Sequence, residues 1–442
     1  MKKKVIYLMP LILLQVYLTT TLVIFAFGPI NYSLTFPFIF WGFIFCYHLA
    51  FFLGYFSVYI SKNKRVDFFC EVEIGSNISL RVFYILLFFA FFSSLLSFKN
   101  AGSILDFFNP LFWFESAFKG VLNPGVVYTE KMQRVSSDTS GNKLMNVFLF
   151  CMAFSKIIIV PFVVFFWSRL SFKIKLLSLF ITLLPLLSSL SNGTNKGVFD
   201  FVILYGSSLL VFFIYNKYHF SSYRLGKRKF FLVVLMFTLL GALTFFGTAM
   251  SERGGDIRYI ELIDPLGNIK VEEASYNKTK ESFIYYTYAW LGSYIVQGYY
   301  GFSLALTQDF ETSYGIGNSV FLTRNFESLL GVDIRSNTFQ YKISDWWGES
   351  SQWHSFYSFF ANDFHFVGVA FVCFIISFLM AKAWFDFIDR ANIFAGAMMP
   401  IFSVLIIFIP ANNQIFGFLD GFSAFFWTCV FWFYSKNKFR FF

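Results

Sequence analysis

Long apolar runs alternate with short polar connections along most of the chain. A membrane-crossing helix needs about 20 apolar residues to traverse roughly 30 Å of hydrocarbon. The runs that meet this length are Val5–Phe27, Leu34–Ile60, Ile78–Phe98, Leu144–Trp167, Ile174–Leu190, Val198–Tyr215, Phe230–Met250, Phe364–Met380, Ile393–Ile409 and Ile415–Tyr434. The pattern predicts an all-α polytopic membrane protein with about ten transmembrane helices, in which residues 1–442 form a single integral membrane domain.

Two polar segments separate these runs. The larger one, Ser251–His354, holds 13 acidic residues against 8 basic ones, although the whole chain carries a formal charge of +10. It also contains 10 of the 24 Tyr and 4 of the 10 Trp, which predicts a loop that binds a polar molecule. The smaller one, residues 99–143, contains Asn-Pro twice and is predicted as a turn-rich connection.

The composition excludes several classes of protein. With 57% hydrophobic and only 14% charged residues, a soluble fold of 442 residues could not cover its apolar surface. The five Cys show no CxxC spacing, and the four His show no HxxxH spacing, so neither a metal site nor another cofactor is predicted. Basic residues are scattered over short loops, which indicates membrane orientation and no nucleic-acid partner.

Charge also predicts the orientation, because Lys and Arg accumulate in cytoplasmic loops close to the ends of spans. With ten spans, the basic clusters fall on every alternate side, at Lys2–Lys4, Lys62–Arg65, Arg169–Lys175, Arg224–Lys229, Lys382/Arg390 and Lys436–Arg440. We therefore expect cytoplasmic N- and C-termini and external positions for the loops 99–143 and 251–354.

The stretch Ile284–Leu306 is also long and apolar enough to cross. A single crossing here would invert every later loop, so the charge pattern permits either none or two crossings within the large loop. Its density of Tyr, with Gln297 and three Gly, favours a helix that lies at the interface or dips into the bundle. The alternative is a second crossing near Val320–Leu330, which would give twelve spans.

Two polar segments at predicted external span ends are candidates for binding an anion. The turn Ser191–Gly197 feeds a helix N-terminus, where backbone amides and the Lys196 ammonium would converge; a tight turn with a snorkelling lysine is the alternative. Arg253 and Arg258 follow the seventh span at headgroup depth, and guanidinium groups suit phosphate oxygens. Snorkelling, or neutralisation by the neighbouring Glu252 and Asp256, would instead leave these arginines without such a role.

The end of the large loop, from Trp346 to Gly368, brings chemistry-bearing side chains to the start of the eighth span. His354 is a candidate base near neutral pH, or else one of the residues of an interfacial aromatic belt. Asp363 is a second candidate base, or else a helix cap.

The loop also contains Arg324, which adds positive charge within an acidic segment and is a further candidate for binding an anion. A set of aromatic residues accompanies it. Aromatic faces bind the C–H faces of sugars, although the same composition fits an interfacial girdle. The candidate glycan-binding residues are Tyr285, Tyr288, Trp290, Trp346, Trp347 and Trp353.

These features together resemble the bacterial O-antigen polymerase (Wzy-type) family of polysaccharide repeat-unit polymerases, whose architecture is related to class C lipid-dependent glycosyltransferases. The resemblance rests on the plan of spans and on three local patterns. Ser191-Asn-Gly-Thr-Asn-Lys-Gly197 is similar to the family's Ser-x-x-Arg-Gly turn, with Lys196 in place of Arg. Arg253 follows the span before the loop. Asn362-Asp-Phe-His-Phe-Val-Gly368 is similar to the Asp-Phe-Gly segment of the loop exit, with His365 in place of the first Gly.

The resemblance implies a metal-independent glycosyltransferase of the bacterial cytoplasmic (inner) membrane. Its substrate would be an oligosaccharide on undecaprenyl diphosphate, and its product O-antigen or a related surface polysaccharide. The implied catalytic residues are His354, Asp363 and Arg253, and the implied diphosphate-binding residues are Arg253, Arg258, Lys196 and Arg324. The implied partners are the lipid bilayer, a chain-length regulator and a flippase. The alternatives are an O-antigen ligase that transfers polysaccharide to lipid A core, and a lipid-linked oligosaccharide flippase or transporter.

Overall fold

The computed structural model describes residues 3–63, 80–100, 109–137, 143–220 and 229–438. Parts of the predicted cytoplasmic clusters, such as Arg65 and Arg224, and residues 101–108 and 138–142 of the smaller loop lie outside this description. Within it the helices are α1 Lys3–Phe27, α2 Pro37–Asn63, α3 Leu80–Leu96, α4 Pro110–Leu122, α5 Pro124–Ser137, α6 Lys143–Phe166, α7 Phe172–Ser191, α8 Lys196–His219, α9 Lys229–Arg253, α10 Tyr259–Leu262, α11 Glu273–Glu281, α12 Phe283–Ala305, α13 Val320–Leu330, α14 Phe339–Lys342, α15 Phe356–Arg390, α16 Ile393–Phe408 and α17 Leu419–Lys438. Two short strands, β1 Ile30–Tyr32 and β2 Ile269–Val271, complete it.

Each of the ten predicted spans overlaps a helix of the described part of the chain. Helices long and apolar enough to cross a membrane are found at Lys4–Phe27, Pro37–Ser61, Val147–Arg169, Phe172–Ser191, Lys196–His219 and Phe356–Arg390. Shorter apolar helices are Leu80–Leu96 and Ile393–Phe408. The structure thus confirms an all-α membrane protein. The number of crossings and the side on which each loop lies remain predictions.

The predicted single domain divides into two compact units, each built from separate stretches of the chain. The first unit comprises Met1–Phe68, Gly254–Phe385 and Val404–Phe418. The second unit comprises Phe69–Arg253, Asp386–Ser403 and Leu419–Phe442. The described part of the large loop from Gly254 onward therefore belongs to the first unit, whereas Arg253, the last residue of α9, belongs to the second.

In the first unit the large loop is folded rather than open. β2 pairs with β1 in antiparallel register, Ile30 opposite Val271, and so ties the loop to the end of α1. α12 packs against α1, and its residues Val296–Ala305 are all buried. Gly298 allows α12 to approach the segment that follows α16, because a Cβ there would overlap the carbonyl oxygen of Pro410. The predicted helix over 284–306 is thus present, and its position relative to the bilayer stays a prediction.

The helix near Val320–Leu330 is too short to supply the alternative second crossing by itself. α13 has 11 residues, which at 1.5 Å per residue span only about 16 Å, roughly half of the hydrocarbon thickness. Ser319 caps its start by accepting from the Leu322 N–H, and Gly331, with φ 68°, ends it. Both ends are therefore specified locally.

In the second unit, α6 packs against α3, α8 and α17. The short helices α4 and α5 pack against α7 and α9, respectively. The smaller loop was predicted as turn-rich, but its described part forms α4 and α5. Asn109 caps α4 by accepting from the Leu111 N–H, and Pro110 and Pro124 are the first residues of α4 and α5. Proline favours the first position of a helix because no hydrogen bond is needed from its nitrogen. The Asn-Pro pairs therefore mark helix starts.

Candidate anion-binding site

Two glycines allow the α4–α5 hairpin to pack closely against the end of α7 and the turn between α7 and α8. A Cβ on Gly120 would overlap the Leu190 carbonyl oxygen, and a Cβ on Gly193 would overlap that of Pro124. Gly193 also has φ 58°, a conformation that glycine adopts at little cost. Gly120 thus sets how closely α4 approaches the end of α7, and Gly193 sets how closely the start of α5 approaches the turn before α8.

The end of α9 contacts the start of α5. The Gly125 N–H, at the start of α5, donates to the Glu252 carboxylate at 2.7 Å. The next residue, Arg253, lies with its guanidinium carbon 3.9 Å from the centre of the Tyr128 ring. A stacked guanidinium is held in orientation while its edge remains able to bind an anion.

Lys131 lies one turn beyond Tyr128 on α5 and is half-buried. Burial lowers the pKa of its ammonium, and the positive charges of Arg253 and Lys196 lower it further. The charges of Arg253 on α9 and Lys196 on α8 therefore both act on Lys131 on α5. We call Lys131, Lys196 and Arg253 the rim cluster. Among the described residues, no ion pair to Lys131 is present.

Lys196 opens α8, as the turn pattern predicted, and donates to Asp200 at 2.7 Å one turn further on. The turn is hydrogen-bonded within itself, since the Gly197 N–H donates to the Ser189 hydroxyl, which donates to the Thr194 carbonyl. The Gly197 amide is thus already used. Any anion bound here would be held mainly by side chains.

Arg258 belongs to the first unit and has a different environment. Its guanidinium lies 3.7 Å from the centre of the Tyr276 ring and forms an ion pair with Glu273. Asp256 accepts from the Arg258 backbone N–H and from the Tyr276 hydroxyl. The neutralising carboxylate is therefore Glu273, and Arg258 is not part of the rim cluster. Arg324 lies exposed on α13.

His354 is enclosed in the first unit, with 2% of its surface exposed. Its Nε2 lies 3.4 Å from the Gly348 carbonyl oxygen. Burial lowers the pKa of His354 to about 4. A histidine that is neutral, enclosed and weakly basic does not fit the predicted role of an accessible base in this conformation.

Asp363 is fully engaged by the backbone of the large loop. Its carboxylate accepts from the N–H groups of Gly315, Gly317 and Asn318 at 2.8–3.0 Å and from the Asn318 side chain at 2.7 Å. None of these donors belongs to α15, so Asp363 does not cap a segment of that helix either. Through these four hydrogen bonds, Asp363 holds the segment 315–318 in place.

His365 breaks α15 with φ 58° and ψ 163°. This region of the backbone map is essentially reserved for glycine. The exposed ring of His365 packs edge-on against Phe310, with ring centres 5.3 Å apart.

The candidate glycan-binding aromatics divide by burial. Trp347 is completely buried against Tyr300, and Trp290 is 4% exposed, so neither ring can stack on a sugar in this conformation. Tyr288 and Trp346 are exposed. Tyr285 and Trp353 are half-buried. Composition alone did not separate core rings from surface rings.

Sequence reasoning missed Tyr128 and Lys131, because the smaller loop was interpreted as a solvated connection. A signal was present in Pro124-Gly-Val-Val-Tyr-Thr-Glu-Lys131, because proline suits the first position of a helix. Within the described residues, no group of three or more His, Cys, Asp or Glu is placed to hold a metal ion. Comparison with protein-family models, curated proteins and solved structures gave no match.

Proposed function

We propose that this protein is a glycosyltransferase that polymerises oligosaccharide repeat units carried on undecaprenyl diphosphate, at the external face of the bacterial cytoplasmic membrane. The observation that carries the proposal is the rim cluster. Its three cations come from separate helices, and two of them lie at the ends of predicted spans, Lys196 at the start of α8 and Arg253 at the end of α9. A lipid-linked diphosphate has its charge at the same depth, where hydrocarbon meets water.

The electrostatics of the cluster favour such a ligand. The positive charges of Arg253 and Lys196 lower the pKa of the Lys131 ammonium, and a bound polyanion removes that repulsion. When the glycosidic bond to the carrier breaks, negative charge grows on the leaving diphosphate. Cations fixed beforehand stabilise that charge in the transition state. In this proposal the side chains neutralise the diphosphate, and no cofactor is invoked.

The remaining predicted features fit the same activity. Exposed rings such as Tyr288 and Trp346 in the first unit offer surfaces for a polar glycan. A flippase would be expected to carry charges along a central path and to show repeat symmetry. The sequence shows no internal repeat, which favours the polymerase over the flippase.

A deletion strain tests the proposal. We expect surface glycan that carries a single repeat unit on core, without the ladder of longer chains, when lipopolysaccharide is separated on a gel. A plasmid copy of the gene should restore the ladder. If no repeat reaches core at all, the ligase or flippase alternative is correct. If the ladder is unchanged, the proposed function is wrong.

A further inference from the structure

An ion pair lies within the apolar helices of the second unit. Lys156 sits inside the apolar stretch Val147–Arg169 of α6, and its side chain is 12% exposed. Its ammonium lies 2.6 Å from Asp420 and donates to the Ser97 hydroxyl at 3.3 Å. A charge within a membrane helix is costly and by default points to a function.

The pair is asymmetric. Lys156 is enclosed, whereas the Asp420 side chain is 39% exposed. Lys156 holds the Oδ2 atom of Asp420, and among the described residues no hydrogen-bond donor to Oδ1 is present. Asp420 lies in the first turn of α17, where the helix dipole favours a carboxylate. One carboxylate oxygen is thus fixed, and the other is open.

Hydrogen bonds connect this pair to the turn that carries Lys196. Ser97, which accepts from Lys156 through its hydroxyl, accepts from the Ser188 hydroxyl at 2.8 Å through its carbonyl oxygen, and Ser188 lies at the end of α7, just before that turn. The negative charge of Asp420 also acts on the Lys196 ammonium.

Two other carboxylates near the cluster each have one oxygen bound. Asp200 accepts from Lys196 and has its second oxygen buried, and Glu252 accepts from the Gly125 N–H. Asp420 differs from both because a largely buried ammonium fixes one of its oxygens while the other is open.

We propose that Asp420 is the base that receives the proton of the acceptor sugar hydroxyl, and that Lys156 positions it; this rests on the proposed function. The acceptor oxygen forms a bond to the anomeric carbon of the donor sugar while its proton passes to Asp420 Oδ1. The bond between that carbon and the diphosphate oxygen breaks, and its electron pair leaves with the diphosphate on the rim cluster. The proton then passes from Asp420 to water.

The first test replaces Asp420 with asparagine in the deletion strain. Loss of a general base costs about 10²–10⁴-fold in rate, so we expect chains longer than one repeat to fall at least about 100-fold. Glu130→Gln is the matched control, because it makes the same acid-to-amide change on an exposed residue that pairs with Lys119. A normal ladder in Asp420→Asn would overturn the proposal.

A double variant separates catalysis from structure. Asp420→Asn alone leaves Lys156 buried without its counter-charge, which can destabilise the protein by itself. Lys156→Met/Asp420→Asn removes both charges. If the pair serves only the fold, the double variant should regain the ladder. If Asp420 is the base, it should remain inactive although it is present in the membrane. Failure of both variants to accumulate would show a structural role and overturn the proposal.

Binding gives a second readout on the purified protein. Inorganic pyrophosphate should protect Lys131 from an amine-reactive reagent, measured by mass spectrometry, in wild type and in Asp420→Asn alike. Loss of protection in the variant would mean that Asp420 shapes the cation site, against the proposal. An unchanged ladder in the deletion strain would instead refute the proposed function, so the two failures are distinguishable.

Discussion

His354→Gln should make the free energy of unfolding of the protein less dependent on pH on the acid side of neutrality. Burial keeps His354 neutral in the folded state with a pKa of about 4, whereas an unfolded chain has the ordinary value of about 6.5. Between these values the unfolded state binds a proton that the folded state does not, so stability falls as pH falls through this window. The full effect is about 3 kcal/mol, of which about 2 kcal/mol is lost by pH 5.

The assay is thermal unfolding in detergent, followed by tryptophan fluorescence between pH 8 and pH 4.5. Wild type should lose a few degrees more than His354→Gln over this range, since other titrating groups are common to both. His365→Gln is the control, because that ring is exposed and should leave the curve parallel to wild type. Parallel curves for wild type and His354→Gln would refute the burial argument.

Two further substitutions test the backbone. His365→Gly should raise the melting temperature, because it relieves a glycine-only conformation worth about 1–3 kcal/mol, and an unchanged or lower value would contradict the strain. Gly193→Ala should push α5 from the start of α8 and weaken protection of Lys131 by pyrophosphate. Gly255→Ala, equally positive in φ but facing open space, should leave that protection intact. Equal protection in both variants would show that the Gly193 contact does not place the cluster.

The helices were predictable from the sequence because a bilayer imposes a length on each apolar run. The same rule located α12, but not its buried C-terminal half, which depends on contacts between Gly298 and Pro410 far apart in the chain. The cap at Asn109 is local, yet Asn-Pro also suits a turn. Only packing shows that this pair starts a helix.

The site was predictable in part. Lys196 and Arg253 stood out as cations at span ends. The structure places Arg253 and Lys131 beside the same Tyr128 ring, and the charge of Lys196 acts on Lys131. Asp420 was hidden inside the predicted span Ile415–Tyr434, because hydropathy averages over a single charge. Its partner Lys156 lies on another helix, so sequence spacing gave no sign of the pair. Burial likewise distinguishes Trp347, whose ring is buried, from the adjacent Trp346, whose ring is exposed, although the two residues are of the same type.

The most direct test of the central claim compares Arg253→Ala with Arg258→Ala in the deletion strain, with the amount of each protein in the membrane measured in parallel. Both changes remove a guanidinium near the start of the large loop. Arg253 belongs to the rim cluster, whereas Arg258 is neutralised by Glu273. We predict that Arg253→Ala leaves only single-repeat glycan on the gel and that Arg258→Ala retains the ladder. A full ladder in Arg253→Ala would contradict the assignment of the diphosphate to the rim cluster.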